Sequence, residues 1–198
     1  QNGFSKSVGW NGNLMYVFDD ETYTYSPDTD IWTIVNSQGL FHGCTVLWTG
    51  TEFLILDFTF STLRRYNTGT NSWSNTSALN KPSSRSYYSA VWDGSRLIVW
   101  GGDLSGTPLN TGGIYNPATD TWTAMSTAGA PVARQKHTAV WNTATNQMIV
   151  WGGSTSTFSG ELNTGGLFNP ATNTWTGATS TTNTPAIRND HTAVWTGT

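Results

Sequence analysis

The apolar residues of this chain fall into short runs of four to six, rich in Val, Ile, Trp, Tyr and Thr and separated by Gly, Asn, Asp and Pro. Runs of this length and composition predict β-strands rather than helices. Asp93-Gly94 predicts a tight hairpin, because glycine accepts the positive φ that such turns require. The four residues 116–119 are Asn-Pro-Ala-Thr and predict a second turn, in which proline presets φ. The strands predicted around these turns are Ser89–Trp92, Arg96–Trp100, Gly113–Tyr115 and Thr121–Met125.

The strand pattern repeats along the chain. Residues 85–122 and 134–175 share the frame Arg-x-x-Tyr/His-Ser/Thr-Ala-Val-Trp, then Ile-Val-Trp-Gly-Gly, Thr-Gly-Gly, Asn-Pro-Ala-Thr and Thr-Trp-Thr. The tryptophan that ends the first apolar run recurs at spacings of 38, 44, 49 and 54 residues, as Trp10, Trp48, Trp92, Trp141 and Trp195. A second tryptophan recurs once in each of the first four repeats, as Trp32, Trp73, Trp122 and Trp175. Four antiparallel strands per period of about 50 residues are typical of one β-propeller blade.

Two segments carry a recognisable motif. Leu97–Gly102 (Leu-Ile-Val-Trp-Gly-Gly) and Met148–Gly153 (Met-Ile-Val-Trp-Gly-Gly), each followed by Tyr/Phe-Asn-Pro and a tryptophan, resemble kelch repeats of the galactose oxidase and kelch type, as in secreted bacterial proteins. The resemblance covers essentially the whole chain. The first two units depart from it, because Phe18-Asp19-Asp20 and Asp57-Phe58-Thr59 stand in place of the double glycine.

The repeats and the resemblance together predict an all-β, kelch-like β-propeller in a single domain, residues 1–198. Four four-stranded antiparallel blades are expected over about 5–36, 42–78, 86–127 and 135–180, followed by the first strand of a fifth blade at 189–195. Because kelch rings usually hold more blades, we expect a part of a larger propeller. The alternatives are a compact four-bladed ring and an assembly in which the last strand pairs with another chain. The recurring tryptophans expected in the core are Trp48, Trp92, Trp100, Trp122, Trp141, Trp151 and Trp175.

Composition indicates which partners and which cellular location fit this chain. Only 11% of the residues are charged and the net charge is -3, so a nucleic-acid partner is disfavoured. No apolar run approaches the roughly 20 residues needed to cross a bilayer. A hydroxyl-rich composition, a first residue that is Gln1 rather than Met, and the single sequon at Asn75 favour a secreted or cell-surface protein. One cysteine, Cys44, cannot form an internal disulfide.

The candidate binding residues follow from the repeat. In kelch propellers, which the chain resembles, the loop before each first strand and the loop after each Gly-Gly open on one face around the channel. An arginine recurs seven residues before the anchor tryptophan, and a histidine, tyrosine or cysteine recurs four residues before it. Such a ring could bind an anionic or hydroxyl-rich ligand, or it could instead tie loop carbonyls of neighbouring blades. With the variable loops 103–111 and 154–164 included, the predicted ligand-binding residues are Arg85, Tyr88, Asp103, Arg134, His137, Phe158, Glu161, Arg188 and His191.

Two enzymatic alternatives have less support in the sequence than the binding interpretation. Cys44 and Tyr88 occupy equivalent positions, which resembles the cysteine cross-linked to a tyrosine beside copper in galactose oxidases, although the family's Arg-x-Tyr pattern falls on Tyr87. His137 and His191 do not match that family's copper ligands. A glycan-active hydrolase with paired carboxylates stays open, with Asp19, Asp20, Asp57, Asp103 and Glu161 as candidates.

We therefore expect an extracellular binding or adhesion module that recognises a protein or glycan, without a cofactor, rather than an enzyme. The alternatives are part of a secreted enzyme completed by further blades, and a structural subunit of a surface assembly that self-associates through its C-terminal strand edge.

Overall fold

The computed structural model describes residues 7–36, 43–157 and 159–197. These residues form four four-stranded antiparallel sheets and one two-stranded hairpin. Within the same ranges, no helix is long and apolar enough to cross a membrane. The chain divides into two compact units, Gln1–Thr76 and Ser77–Thr198.

The first unit contains two sheets, each with its strands in chain order. The strands are β1 (Ser7–Trp10), β2 (Met15–Phe18), β3 (Thr22–Ser26) and β4 (Ile31–Asn36), then β5 (Thr45–Trp48), β6 (Glu52–Leu56), β7 (Leu63–Asn67) and β8 (Ser72–Asn75). Strand β1 lies beside β5, and a cluster of aromatic and aliphatic side chains is buried between the two sheets. Close approach requires Gly9, because a Cβ there would lie 2.5 Å from Cε1 of Phe53.

The other face of the first sheet is apolar and exposed. Its exposed side chains are Val8, Trp10, Trp32 and Ile34. In the second sheet, Trp73 occupies the position equivalent to Trp32 and packs edge-on against Phe18, at 5.8 Å between ring centroids. The repeat position therefore favours an apolar residue whether or not a sheet of the same unit covers it.

The second unit also contains two sheets. The strands of the third sheet are β9 (Ser89–Trp92), β10 (Leu97–Trp100), β13 (Gly112–Asn116) and β14 (Thr121–Ala124), and those of the fourth are β15 (Thr138–Asn142), β16 (Gln147–Trp151), β17 (Gly165–Asn169) and β18 (Thr174–Ala178). The indole of Trp100 packs edge-on against Trp175 at 5.1 Å. Both indoles are buried with their N–H groups satisfied, since Trp100 donates to the Asn110 carbonyl at 3.1 Å and Trp175 to the Ser126 carbonyl at 3.0 Å.

The all-β fold built from four-stranded antiparallel sheets is confirmed. The strands predicted in the third repeat agree with β9, β10, β13 and β14 to within a residue or two. Among the tryptophans expected in the core, Trp100, Trp122 and Trp175 are buried, and Trp48, Trp92, Trp141 and Trp151 are half-buried. The sequence did not predict the hairpin of β11 (Asp103–Leu104) and β12 (Thr107–Pro108), which lies inside a segment interpreted as a variable loop.

The strand predicted at 189–195 has no partner strand among the described residues. Residues 191–197 have no strand pairing, and only Arg188 makes an isolated bridge, to Leu162. A strand is held by hydrogen bonds to a neighbouring strand, and the described residues supply none at this position. The segment is thus a β-type sequence without a partner strand.

Candidate functional site

The residue five positions before the anchor tryptophan has a left-handed backbone in the four repeats where the structure describes it. These residues are Gly43, Tyr87, Lys136 and Asp190, with φ of 66°, 54°, 56° and 49°. In the second unit this conformation joins successive repeats, because the Lys136 N–H donates to the Tyr87 carbonyl and the Asp190 N–H to the Lys136 carbonyl, both at 3.1 Å. We call Tyr87, Lys136 and Asp190 the left-handed row.

The side chains of the left-handed row contact one another at the surface. The Lys136 ammonium lies 2.9 Å from Oδ2 of Asp190 and 5.2 Å from the centroid of the Tyr87 ring. Tyr87 is 43% exposed. The row therefore presents an aromatic ring, a cation and a carboxylate in sequence.

A depression of about 260 Å³ lies against this row. It is lined by the row and by three residues that stand four positions before an anchor tryptophan, Tyr88, His137 and His191. All six lining residues thus come from two adjacent positions of three successive repeats. The repeat places them together although 102 residues separate Tyr88 from Asp190 along the chain (190 - 88).

Each of these histidines is fixed by a hydroxyl of the preceding repeat. Nε2 of His137 lies 2.8 Å from Oγ of Ser89, and Nε2 of His191 lies 2.9 Å from Oγ1 of Thr138. The first unit has the same tie with a different side chain, since the Ser7 hydroxyl bonds to the backbone N–H and carbonyl of Cys44. In these three cases a hydroxyl residue three positions before one anchor tryptophan is hydrogen-bonded to the residue four positions before the next anchor tryptophan.

The double glycine makes room for this arrangement. A Cβ on Gly101 would lie 2.5 Å from Cε1 of His137, and a Cβ on Gly152 would lie 2.5 Å from Cε1 of His191. A Cβ on Gly102 would lie 2.6 Å from the carbonyl oxygen of Ser86. The first glycine of the pair thus leaves space for the histidine ring of the next repeat. The second glycine leaves space for the backbone of the same repeat, at Ser86 in the case of Gly102.

Both imidazoles of the depression are neutral at pH 7. Burial, followed by the charges of Arg134 and His191, lowers the pKa of His137 to about 3, although the Trp100 backbone acts in the opposite direction. Burial and then the charge of Arg188 lower the pKa of His191. The histidines therefore add no positive charge to the depression.

The low pKa of His137 predicts acid destabilisation. In the unfolded chain this histidine takes up a proton near pH 6.5, whereas the folded protein does not protonate it until about pH 3. The stability linked to His137 is therefore fully present above pH 6.5, and we expect the free energy of unfolding to fall by about 1.4 kcal/mol per pH unit as the pH drops from there toward 3.

Urea unfolding of the native protein and of His137→Gln across this pH range checks the prediction, and the variant is expected to show a shallower slope. A histidine NMR titration of the native protein gives an independent value. Equal pH slopes for the two proteins, or titration of His137 near pH 6, would contradict the assignment.

Two of the predicted ligand-binding arginines are buried and bonded to backbone. Arg85 and Arg134 are 3% and 1% exposed. The Arg134 guanidinium donates to the carbonyls of Val132, Gly152 and Thr164 at 3.0, 2.9 and 2.6 Å. Arg85 donates to the corresponding carbonyls of its own repeat, those of Ser83, Gly101 and Thr111. Both arginines thus tie carbonyls within one repeat rather than between neighbouring blades, and because they are buried we do not include them in the site proposed below.

The other predicted residues outside the depression have local contacts. Arg188 is exposed, donates to the Ala186 carbonyl at 3.0 Å and lies over the Trp151 ring. Oδ1 of Asp103 accepts from the Gly106 N–H at 2.9 Å within the hairpin, and Oε1 of Glu161 accepts from the Asn189 amide at 3.2 Å. Phe158 lies outside the described residues. The structure thus brings together Tyr88, His137 and His191 from the predicted set.

The left-handed row lies outside the binding residues predicted from the sequence. Those predictions favoured residue types that recur from repeat to repeat, whereas this position holds Gly, Tyr, Lys and Asp in turn. Variation at one position inside an otherwise matching frame was the available signal, and it was applied only to the longer loops.

The copper alternative finds no donor set in the described ranges. No three His, Cys, Asp or Glu side chains are grouped there so that they could hold a metal ion. Burial, and then the negative charge of Asp57, raise the pKa of the Cys44 thiol to about 11, so this thiol is protonated at neutral pH. The pKa of Asp57 itself is lowered to about 2, because hydrogen bonds from Ser61 and Thr62 outweigh the effect of its burial.

A family model of the KLHDC2/KLHL20/DRC7 Kelch-repeats domain matches residues 40–198, which is most of the chain. No curated protein matches the chain. The matched span contains the second, third and fourth sheets and the whole left-handed row.

Proposed function

The chain belongs to the kelch-repeat family, and we propose that it binds a partner protein through the left-handed row and the depression that the row lines. Kelch repeats generally mediate protein–protein binding, and kelch-repeat domains are usually binding modules rather than enzymes. The family supports the class of function, and the geometry of the second unit supports the location.

The proposed location of the binding site rests on the backbone conformation of the left-handed row. A left-handed backbone costs an ordinary residue about 1–2 kcal/mol, and glycine avoids most of that cost. Gly43 shows that glycine serves at this position of the repeat, yet the second unit holds Tyr87, Lys136 and Asp190 there. These three side chains are accessible and adjacent, and strained residues of this kind cluster at binding sites. The presence of these side chains at a position where another repeat has glycine supports a role in recognition.

The first test combines stability and binding at Tyr87. We expect Tyr87→Gly to be about 1 kcal/mol more stable than Tyr87→Ala, because only alanine keeps the left-handed strain once the ring is removed. Peptides selected from a random display library against the native protein are expected to bind Tyr87→Gly at least about tenfold more weakly, a loss of about 1.4 kcal/mol. Urea unfolding and fluorescence titration of the selected peptides provide the two measurements.

Thr119→Ala is the matched control for this test. Thr119 is exposed in the turn between β13 and β14, at the end of the third sheet opposite to residues 85–88. Peptides that bind Tyr87→Gly as tightly as the native protein, or that lose affinity for Thr119→Ala instead, would contradict the proposed location.

We extend the proposal to the cellular location, as a secreted or cell-surface protein. The support is a surface with few charges and the exposure of Asn75, the sequon asparagine, on the edge strand β8. Fractionation of the native source checks this, and recovery from the cell interior alone would contradict it. A glycan is the alternative ligand, and self-association through the C-terminal segment stays a prediction.

A further inference from the structure

The charges of the depression are already paired. Its lining contains one cation, Lys136, which lies 2.9 Å from the carboxylate of Asp190. The neighbouring arginines do not line the depression: Arg85 and Arg134 donate to buried backbone carbonyls, and Arg188 donates to the Ala186 carbonyl. Both lining histidines have lowered pKa values and are uncharged at neutral pH. An anionic ligand would therefore find no unpaired cation among the lining residues.

The histidines offer no accessible donor to an anion. Nε2 of His137 shares a hydrogen bond with the Ser89 hydroxyl at 2.8 Å, and Nε2 of His191 shares one with the Thr138 hydroxyl at 2.9 Å. Nδ1 of His137 and Nδ1 of His191 are buried and have no hydrogen-bond partner among the described residues. Neither imidazole therefore presents a charge or a free N–H to a ligand in the depression.

The ion pair offers a donor and an acceptor side by side. The Lys136 ammonium can donate to an incoming oxygen, and the Asp190 carboxylate, which is 58% exposed, can accept from an incoming N–H. A primary carboxamide carries one oxygen and one NH₂ on the same carbon and satisfies both groups at once. A carboxylate has the same shape but brings a second oxygen against Asp190, which repels it. The tyrosine rings of the lining offer apolar surface for the stem of such a side chain.

We propose that the depression receives an asparagine or glutamine side chain of the partner protein and discriminates against aspartate and glutamate. This inference rests on the proposed function, because it names the ligand chemistry of the same site. It contrasts with the sequence-based expectation of an arginine-lined site for anions.

The experiment uses isosteric probes on the full chain. N-acetyl-asparagine methylamide, N-acetyl-aspartate methylamide and methyl glucoside are titrated into the ¹⁵N-labelled protein at pH 7, and the amide resonances of residues 86–89, 135–138 and 189–192 are followed. We expect the asparagine probe to bind at least about tenfold more tightly than the aspartate probe.

Asp190→Asn is the decisive variant, because it frees Lys136 and removes the repelling carboxylate from an exposed position while keeping a residue that adopts the left-handed backbone. The tenfold preference is expected to disappear or reverse in this variant. Lys136→Met is the matched control, and it is expected to weaken both amino-acid probes.

Three results would overturn the inference. They are equal or tighter binding of the aspartate probe by the native protein, a response to methyl glucoside but not to the asparagine probe, and no response to any probe up to its solubility limit. Failure of the proposed function is distinguishable, because it appears as library peptides that are indifferent to Tyr87→Gly, whatever residues those peptides contain.

Discussion

Gly101→Ala is expected to destabilise the protein by about 3 kcal/mol, the sum of left-handed strain and an overpacked contact. The new Cβ would lie 2.5 Å from Cε1 of His137 and 3.0 Å from the Arg134 carbonyl oxygen, on a backbone with φ of 66°. His137 cannot withdraw easily, because its ring is held by Ser89 and packs edge-on against Trp100 at 5.1 Å. Urea unfolding of the native protein and the variant measures the loss.

Gly94→Ala separates the two contributions. Gly94 has a φ of 97°, but a Cβ there would meet no atom within 4 Å, so its substitution costs the strain alone. We expect a loss of about 1 kcal/mol for Gly94→Ala. Gly152→Ala repeats the test at the equivalent position, where Cε1 of His191 lies 2.5 Å away. Equal losses for Gly94→Ala and Gly101→Ala would show that the approach of His137 to Gly101 does not matter.

Arg134→Lys is expected to cost about 3 kcal/mol, although it keeps the positive charge. Lysine can place one ammonium near one or two of the carbonyls of Val132, Gly152 and Thr164, whereas the planar guanidinium reaches all three. The remaining carbonyl is left buried without a donor, and the ammonium is desolvated with too few partners. Denaturant unfolding at pH 7 is the measurement.

Arg188→Lys is the matched control for Arg134→Lys. Arg188 stands at the same position of the next repeat but is exposed, and we expect its substitution to change stability by no more than about 0.5 kcal/mol. A small loss for Arg134→Lys as well would indicate that the guanidinium contacts with the loop carbonyls contribute little. A large loss of peptide binding without loss of stability would return Arg134 to the candidate site.

The sequence predicted the strands well because their signals are local. The alternation of short apolar runs with Gly, Asn, Asp and Pro places β9, β10, β13 and β14 without knowledge of any neighbour. Self-similarity then transfers the assignment from one repeat to the next. The strand expected at 189–195 stays a prediction, since a strand also needs a partner that its own sequence does not contain.

Turns illustrate what local signals omit. The repeat of Asn-Pro-Ala-Thr predicts a turn before Trp175 as it does at 116–119, and Asn173 has a left-handed backbone there, with φ of 54°. Its amide also reaches across to the third sheet, where it donates to the Ala124 carbonyl at 3.1 Å and accepts from the Ser126 N–H at 3.0 Å. The backbone conformation of Asn173 is thus a local property of the turn, whereas the hydrogen bonds of its side chain depend on a neighbouring sheet.

For the candidate site, too, some features follow from local sequence and others from tertiary packing. The amino-acid sequence by itself determined the β-strands, the repeat and the set of equivalent positions, because each rests on residues close together along the chain. Only the tertiary structure decided that Arg134 is buried among carbonyls while Arg188 is exposed, and that Lys136 meets Asp190 across 54 residues (190 - 136). A repeat fixes which positions correspond, but the packing of one sheet on the next fixes which side chains lose water and which remain available to a partner.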